Sequence, residues 1–291
     1  MNTATVQKTK QDQRVSERTK TSEPVRGSVN FPRLVRAEWI KFTTLRSTWW
    51  SLALVAAVSV GLSLLQASAI ASFGDEEQAS DAAAVNQTAV MVIVFATVLT
   101  QLLAVIIGTI NVTGEYSTGM IRSTLTAEPR RLPSMLAKAL VVGGTLFLFS
   151  LVVFALAALV TAPILTDGGV DLTDPDTSVM PLLGAALYLA LIAIMGAGLG
   201  YIIRNGPGAL AMGIGLVFVA PVIVLFFPAT PDFEWVFDLA AYLPSNAGQS
   251  LFMGEPMSGT LLETWPALLT LIAWTAAAII GGAAVVKSRD A

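Results

Sequence analysis

Cysteine and histidine are absent from all 291 residues, and charge is scarce, with only 13% of the chain Asp, Glu, Lys or Arg. Without thiols there is no disulfide framework and no thiolate metal site. Without imidazole the commonest general base and proton relay is also gone, so much intramembrane enzymology is excluded. A soluble globular domain carries about 25% charged residues, so this chain has roughly half the usual supply for a wet surface. What is present instead is apolar: 54% of the residues are hydrophobic, and the mean hydropathy is +0.70. That balance is expected of an all-α polytopic membrane protein, for which lipid solvates most of the exterior.

Six stretches contain no Asp, Glu, Lys or Arg: residues 49–71, 88–112, 139–165, 181–203, 208–227 and 266–286. Each holds about 20 residues or more, the length a helix needs to cross ~30 Å of hydrocarbon. The expected organisation is a disordered cytoplasmic tail over 1–30, an interfacial amphipathic helix over 31–47, a six-helix transmembrane domain over 48–287 and a short cytoplasmic tail over 288–291. The first tail is rich in Lys, Arg, Thr, Ser and Gln and lacks an apolar run, so it does not read as a signal peptide. Within 31–47, Leu34, Val35, Trp39, Phe42 and Leu45 share one helical arc, while Arg36, Lys41, Thr43 and Thr44 lie elsewhere. Ile40 falls off the stripe, and Glu38 and Arg46 intrude on it. Such a helix is expected to lie in the membrane interface, the alternative being a plain extension of the first span.

The cations sort to one side. Ten of the 17 Lys and Arg precede the first span, Arg122, Arg130, Arg131 and Lys138 flank the loop between spans two and three, Arg204 separates spans four and five, and Lys287 and Arg289 close the chain. The alternate loops hold acids instead: Asp75, Glu76, Glu77 and Asp81; then Asp167, Asp171, Asp174 and Asp176; then Asp232, Glu234, Asp238, Glu255 and Glu263. By the positive-inside rule both termini and the loop 113–138 are expected in the cytoplasm, with the chain multi-pass in the cell (plasma) membrane. In the external segment 228–265, Phe233, Val236, Phe237, Ala240 and Ala241 recur at helical spacing before Pro244, Gly248, Gly254 and Pro256 interrupt. One or two short helices on or dipping into the outer interface are expected there.

No charge lies inside the apolar stretches, which argues against an ion-coupled carrier, since such proteins keep a coupling-ion ligand at membrane depth. There is no phosphate-cradling G-x-x-x-x-G-K-[ST] either, and no soluble stretch large enough for an ATPase. Active transport would then need a separate nucleotide-hydrolysing subunit. The loop 113–138, mixing Glu115, Tyr116, Arg122, Glu128, Arg130 and Arg131 with Gly and Pro, is the natural docking surface; the plainer alternative is a solvated hairpin. Residues 117–125 are expected to form a short helix, broken near Pro129 and Pro133.

The run Gly114-Glu115-Tyr116-Ser117-Thr118-Gly119-Met120-Ile121-Arg122-Ser123-Thr124-Leu125, followed by Pro129-Arg130-Arg131 and Ala137-Lys138-Ala139, resembles the signature loop of ABC-2 type exporter permeases. The Arg36-Ala37-Glu38-Trp39-Ile40-Lys41 pattern, continued by Leu45-Arg46-Ser47, resembles the segment before the first span in that family, especially in actinobacterial members. Ser117 stands where the family commonly has a basic residue. The resemblance implies a permease subunit, working as a homodimer or heterodimer with two cytoplasmic ABC ATPase subunits, that moves an amphipathic substrate such as a lipid, drug or peptide outward. It implies an ATPase-coupling loop of Glu115, Tyr116, Gly119, Met120, Ile121, Arg122, Leu125, Arg130 and Arg131, with the interfacial helix (Leu34, Arg36, Glu38, Trp39, Lys41, Arg46) packed beside it. No catalytic, cofactor or metal residue is expected on this chain, ATP and Mg being held by the partner, and no nucleic acid is expected among the partners.

Thr97, Thr100, Gln101, Thr109 and Asn111 put hydrogen-bonding groups on span two, either lining a path or bonding between helices of the bundle. Gly196, Gly198 and Gly200 in span four, and Gly208, Gly213 and Gly215 in span five, are expected at helix contacts, and Pro221 is expected to disturb span five. Two other function classes remain open on the sequence: a membrane anchor or assembly factor acting through the basic tail and loop, and an ion-coupled carrier.

Overall fold

The computed structural model describes residues 30–73, 82–121, 131–165, 169–253 and 260–288. The expectations for the N-terminal tail and for Arg122, Leu125 and Arg130 lie outside these residues, as do those for Asp75, Glu76, Glu77, Asp81, Asp167, Gly254 and Glu255. Six helices are long and apolar enough to cross a membrane, and no strand occurs among the described residues. The chain is an all-α polytopic membrane protein.

Helix α1 (Phe31–Thr44) starts with Pro32 in its first turn, where the missing N–H costs nothing. It ends where Leu45 turns extended, at φ −78° and ψ 120°. The first span, α2 (Arg46–Phe73), begins at once. The Trp49 indole N–H donates to the Thr43 carbonyl at 2.8 Å, tying this elbow.

Span two is two helices, α3 (Ala82–Val94) and α4 (Thr97–Ser117), separated at Phe95–Ala96. No Gly or Pro marks the break. The Thr97 hydroxyl satisfies the Val94 carbonyl at 2.6 Å, which lets the ladder be interrupted inside the bundle.

Span three, α5 (Arg131–Thr161), takes Pro133 into its first turn. A proline near a helix start removes only an N–H that would be unpaired anyway; most of the short helix expected over 117–125, with Glu128 and Pro129, lies outside the described residues. Span four, α6 (Val179–Ile203), ends at Arg204 in the left-handed region, φ 57°. The Asn205 side chain then accepts from the Gly208 N–H at 3.1 Å, capping the next helix.

Span five runs as α7 (Gly206–Ile214), a π turn (Gly215–Val219) and α8 (Ala220–Val224). Pro221 has no N–H to give back to the preceding turn, and the wide turn beside it absorbs the fault. Of the span-five glycines, a Cβ on Gly213 would press into the Val105 side chain, whereas one on Gly215 would meet open space, so the expected glycine face is only partly realised. Beyond a 3₁₀ turn (Pro231–Phe233) come α9 (Glu234–Ala240) and α10 (Pro244–Gln249). Every residue of α10 is buried, and it packs on α6, on the π turn and on the last span, α11 (Thr264–Ser288).

α6 is the hub, packed against α4, α5, α7 and α11. It is apolar all round and buried through most of its length, as a central helix should be. The close approach to α4 is permitted by small residues: a Cβ on Gly108 would overlap the Ala193 carbonyl, and one on Gly196 would come within 2.7 Å of the Val105 carbonyl. Polar groups sort to opposite ends. At one end Asn86 donates to the Asp171 carbonyl at 3.0 Å and to the Thr177 hydroxyl at 2.8 Å. At the other end stand the side chains described next.

Candidate functional site

Three helix segments converge where the loop after span two leaves the bundle: α1, the last turn of α4 and the first turns of α5. Each brings charge. Lys138 Nζ lies 2.6 Å from Glu38 Oε2 and 3.0 Å from Glu115 Oε1, and it donates to Asn111 Oδ1 at 3.2 Å. Lys41 Nζ lies 2.7 Å from Glu38 Oε1 and 3.0 Å from Glu115 Oε1. The two carboxylates and two ammonium groups alternate in space and sum to zero charge.

Burial makes this arrangement consequential. Lys138 is 2% exposed, Glu38 5% and Glu115 7%. An ionised group at such a position is stable only when paired and hydrogen-bonded. Lys138 achieves this by meeting three acceptors with its three N–H bonds. Lys41 lies at the rim, its side chain 31% exposed. Desolvation pulls its pKa down as the largest single influence; the hydrogen bond to Glu38, the negative charges of Glu115 and Glu38 and the bond to Glu115 together outweigh it, leaving the ammonium above its ordinary 10.5.

Glu38 is therefore no intrusion on an outward apolar stripe. The inner face of α1 is Glu38 and Phe42, both buried, flanked by the half-buried Leu34, Val35 and Lys41. Trp39, Ile40 and Leu45 point away from the bundle, each about half exposed at 48–51%. The expected apolar arc is thus corrected: α1 turns its acid inward because two lysines wait there, and leaves Trp39 to the surroundings. Arg36 and Arg46 are exposed.

The residues expected in the coupling loop divide. Glu115 is held inside the junction, and Ile121 is buried among Val112, Met135, Ala197, Tyr201 and Val286. Tyr116 packs edge-on against Tyr201 with ring centroids 6.5 Å apart, beneath the Arg204 guanidinium at 5.5 Å. Arg204 also donates to the Val285 carbonyl at 3.0 Å, joining the start of span five to the end of span six. Gly119, at φ +72°, ends the turn after α4. Ser117 to Met120 are exposed where the chain leaves α4, as are Leu132 and Leu136 at the start of α5. Arg131 opens α5.

The groups expected along a path are inside the bundle. Gln101 accepts from the Tyr188 hydroxyl and donates to the Val98 carbonyl at 2.8 Å. Thr109 reaches the Gly196 carbonyl at 3.2 Å, Thr97 closes the break in span two, and Asn111 serves Lys138. Thr100 is buried with its hydroxyl unpaired. Of these, Gln101, Thr109 and Asn111 bond to neighbouring helices.

Sequence reasoning missed the pairing of Glu38 with Lys138, separated by a hundred positions in the chain. The available signal was a carboxylate on the apolar face of α1 with Lys41 one turn on, since an acid there demands a partner. Nothing among the described residues gathers three or more carboxylates for a metal. No protein-family model matches the chain, and no curated protein matches it.

Proposed function

We propose that this chain is the membrane subunit of an ATP-driven exporter of the ABC-2 type, coupled to a separate cytoplasmic ATPase. The observation that carries this reading is the junction of Glu38, Lys41, Glu115 and Lys138. It fastens α1 to the two helices on either side of residues 118–130. Force applied to the exposed turn Ser117–Met120 reaches α4, α5 and α1 together, and α4 passes it to the hub helix through close small-residue packing. The sorted cations favour the junction end as cytoplasmic, in the cell membrane. Two ATPase subunits and a second permease copy complete the assembly, with an amphipathic substrate as cargo.

In this reading the exposed turn Ser117–Met120 docks the ATPase, and Glu115 acts behind it as a positioning residue. The test is coexpression with ATPases encoded beside the chain, followed by copurification and measurement of ATP hydrolysis. Met120→Asp is expected to lose the ATPase. Lys138→Met is expected to keep it bound while hydrolysis no longer responds to the membrane subunit. An ATPase that never copurifies, or that is lost only when residues 1–30 are deleted, supports the anchor class instead.

A further inference from the structure

The elbow between α1 and α2 encloses a half-open cavity of about 340 Å³ against the end of α4, within the ~300–1,000 Å³ range of small-molecule sites. Part of its wall is apolar: Phe42, Leu45, Ile107 and Ile110. Leu45 and Ile110 are half exposed at 51% and 47%, so this part reaches the lipid-facing surface of the bundle. Another part carries the hydroxyls of Ser47, Thr48 and Ser51, which share one face of α2.

The elbow itself accounts for these hydroxyls. Leu45 is extended, so Ser47 and Thr48, in the first turn of α2, have no helical carbonyl one turn behind them. Thr43 and Thr44 in α1 do, and donate back to their own helix at 2.9 and 3.1 Å. The depth is also informative. Arg46 opens the span, and Trp49 and Trp50 stand exposed just after it; a cation followed by tryptophans marks the membrane–water interface. That is the level at which the glycerol esters of bilayer lipids lie, and an ester carbonyl accepts hydrogen bonds without bringing a charge. The charged residues of the wall, Lys41, Glu115 and Lys138, are engaged with one another, and an uncharged acceptor enters beside them without disturbing those pairs.

We infer that this cavity takes the ester end of a diacyl membrane lipid, its carbonyls accepting from Ser47, Thr48 and Ser51 and an acyl chain leaving along Ile107 and Ile110 into the bilayer. Recognition rests on the ester linkage and not on the headgroup. The site is independent of the export reading, since it needs only the bilayer as partner.

The test uses the full chain purified in mild detergent. Diester phosphatidylcholine, its diether analogue with the same chains and diester phosphatidylglycerol are supplied separately, and retention is read by native mass spectrometry. The diester is expected to be held about tenfold more tightly than the diether, which lacks the accepting carbonyls. The two diesters are expected within about threefold of each other. Ser47→Ala, Thr48→Val and Ser51→Ala together remove the donors and leave the ion pairs in place; they should bring diester and diether within about twofold. Ser51→Phe, which fills the cavity, should do the same. Equal retention of diester and diether by the unaltered chain overturns the inference. A headgroup preference as large as that for the ester also overturns it, because charge then decides, and so does an ester preference that survives either the triple substitution or Ser51→Phe.

Discussion

Helix α4 is held in two places by opposite means. Along its middle it lies on α6 through glycine and alanine, backbone close to backbone, with Thr109 reaching the Gly196 carbonyl and Gln101 accepting from the Tyr188 hydroxyl across the seam. At its end it is gripped by four charges from three helix segments. Packing of the first kind depends on shape over many atoms, falls off steeply with displacement and admits no added volume. The second kind depends on a few strong, directional contacts whose partners must all be present. The middle of α4 is thereby fixed to the hub, and its end is fixed to α1 and α5. A rod held in this way passes a push at its end to the core.

Removing one ion should have the larger effect. Lys138→Met leaves two buried carboxylates to one rim lysine and is expected to cost about 3–5 kcal/mol, measured by thermal unfolding in detergent. Adding Glu115→Gln to it restores neutrality and should recover part of the loss, the sign of coupling that independent sites do not give. In the seam, Gly108→Ala drives a methyl into the Ala193 carbonyl and should cost about 1–3 kcal/mol. Gly144→Ala is the control, since a Cβ there meets nothing within 4 Å. It should be neutral or mildly stabilising, by up to ~1 kcal/mol from helix propensity.

At the rim, Lys41→Gln should cost only about 1 kcal/mol, because a partly wet ion pair is screened. The smallest effect is that of pH. A lysine whose folded pKa is raised contributes fully below its unfolded value and loses that contribution as pH climbs through the folded one. Since Lys41 is raised above 10.5, its grip on α1 should be constant through neutral pH and loosen only in strong alkali, as read by unfolding temperature across a pH series.

The fold was largely legible in the residues because spans announce themselves by length and by missing charge. Trp49 to Ala71 and Pro181 to Ile203 fall within observed helices whose ends differ by only a few positions. The charge sorting was equally visible. Three things were not. The break at Phe95–Ala96 carries no Gly or Pro, and is made possible by a local threonine bond. The burial of α10, with Pro244 and Gly248 in it, depends on Tyr188 of a distant span lying against it. The junction itself requires Glu38 and Lys138 to meet through tertiary packing, which no local period encodes; the loop motif drew the eye to Glu115 as a surface residue, when its neighbours bury it.

The most direct test is a distance between α1 and α5. The natural chain has no cysteine, so spin labels at Arg36→Cys and Leu136→Cys, both on exposed positions, report only the intended pair. Double electron–electron resonance on the reconstituted protein should give one narrow distance distribution, and Lys138→Met should broaden or split it. A distribution unchanged by Lys138→Met would contradict the account, because α1 would then be held in place without the ionic junction.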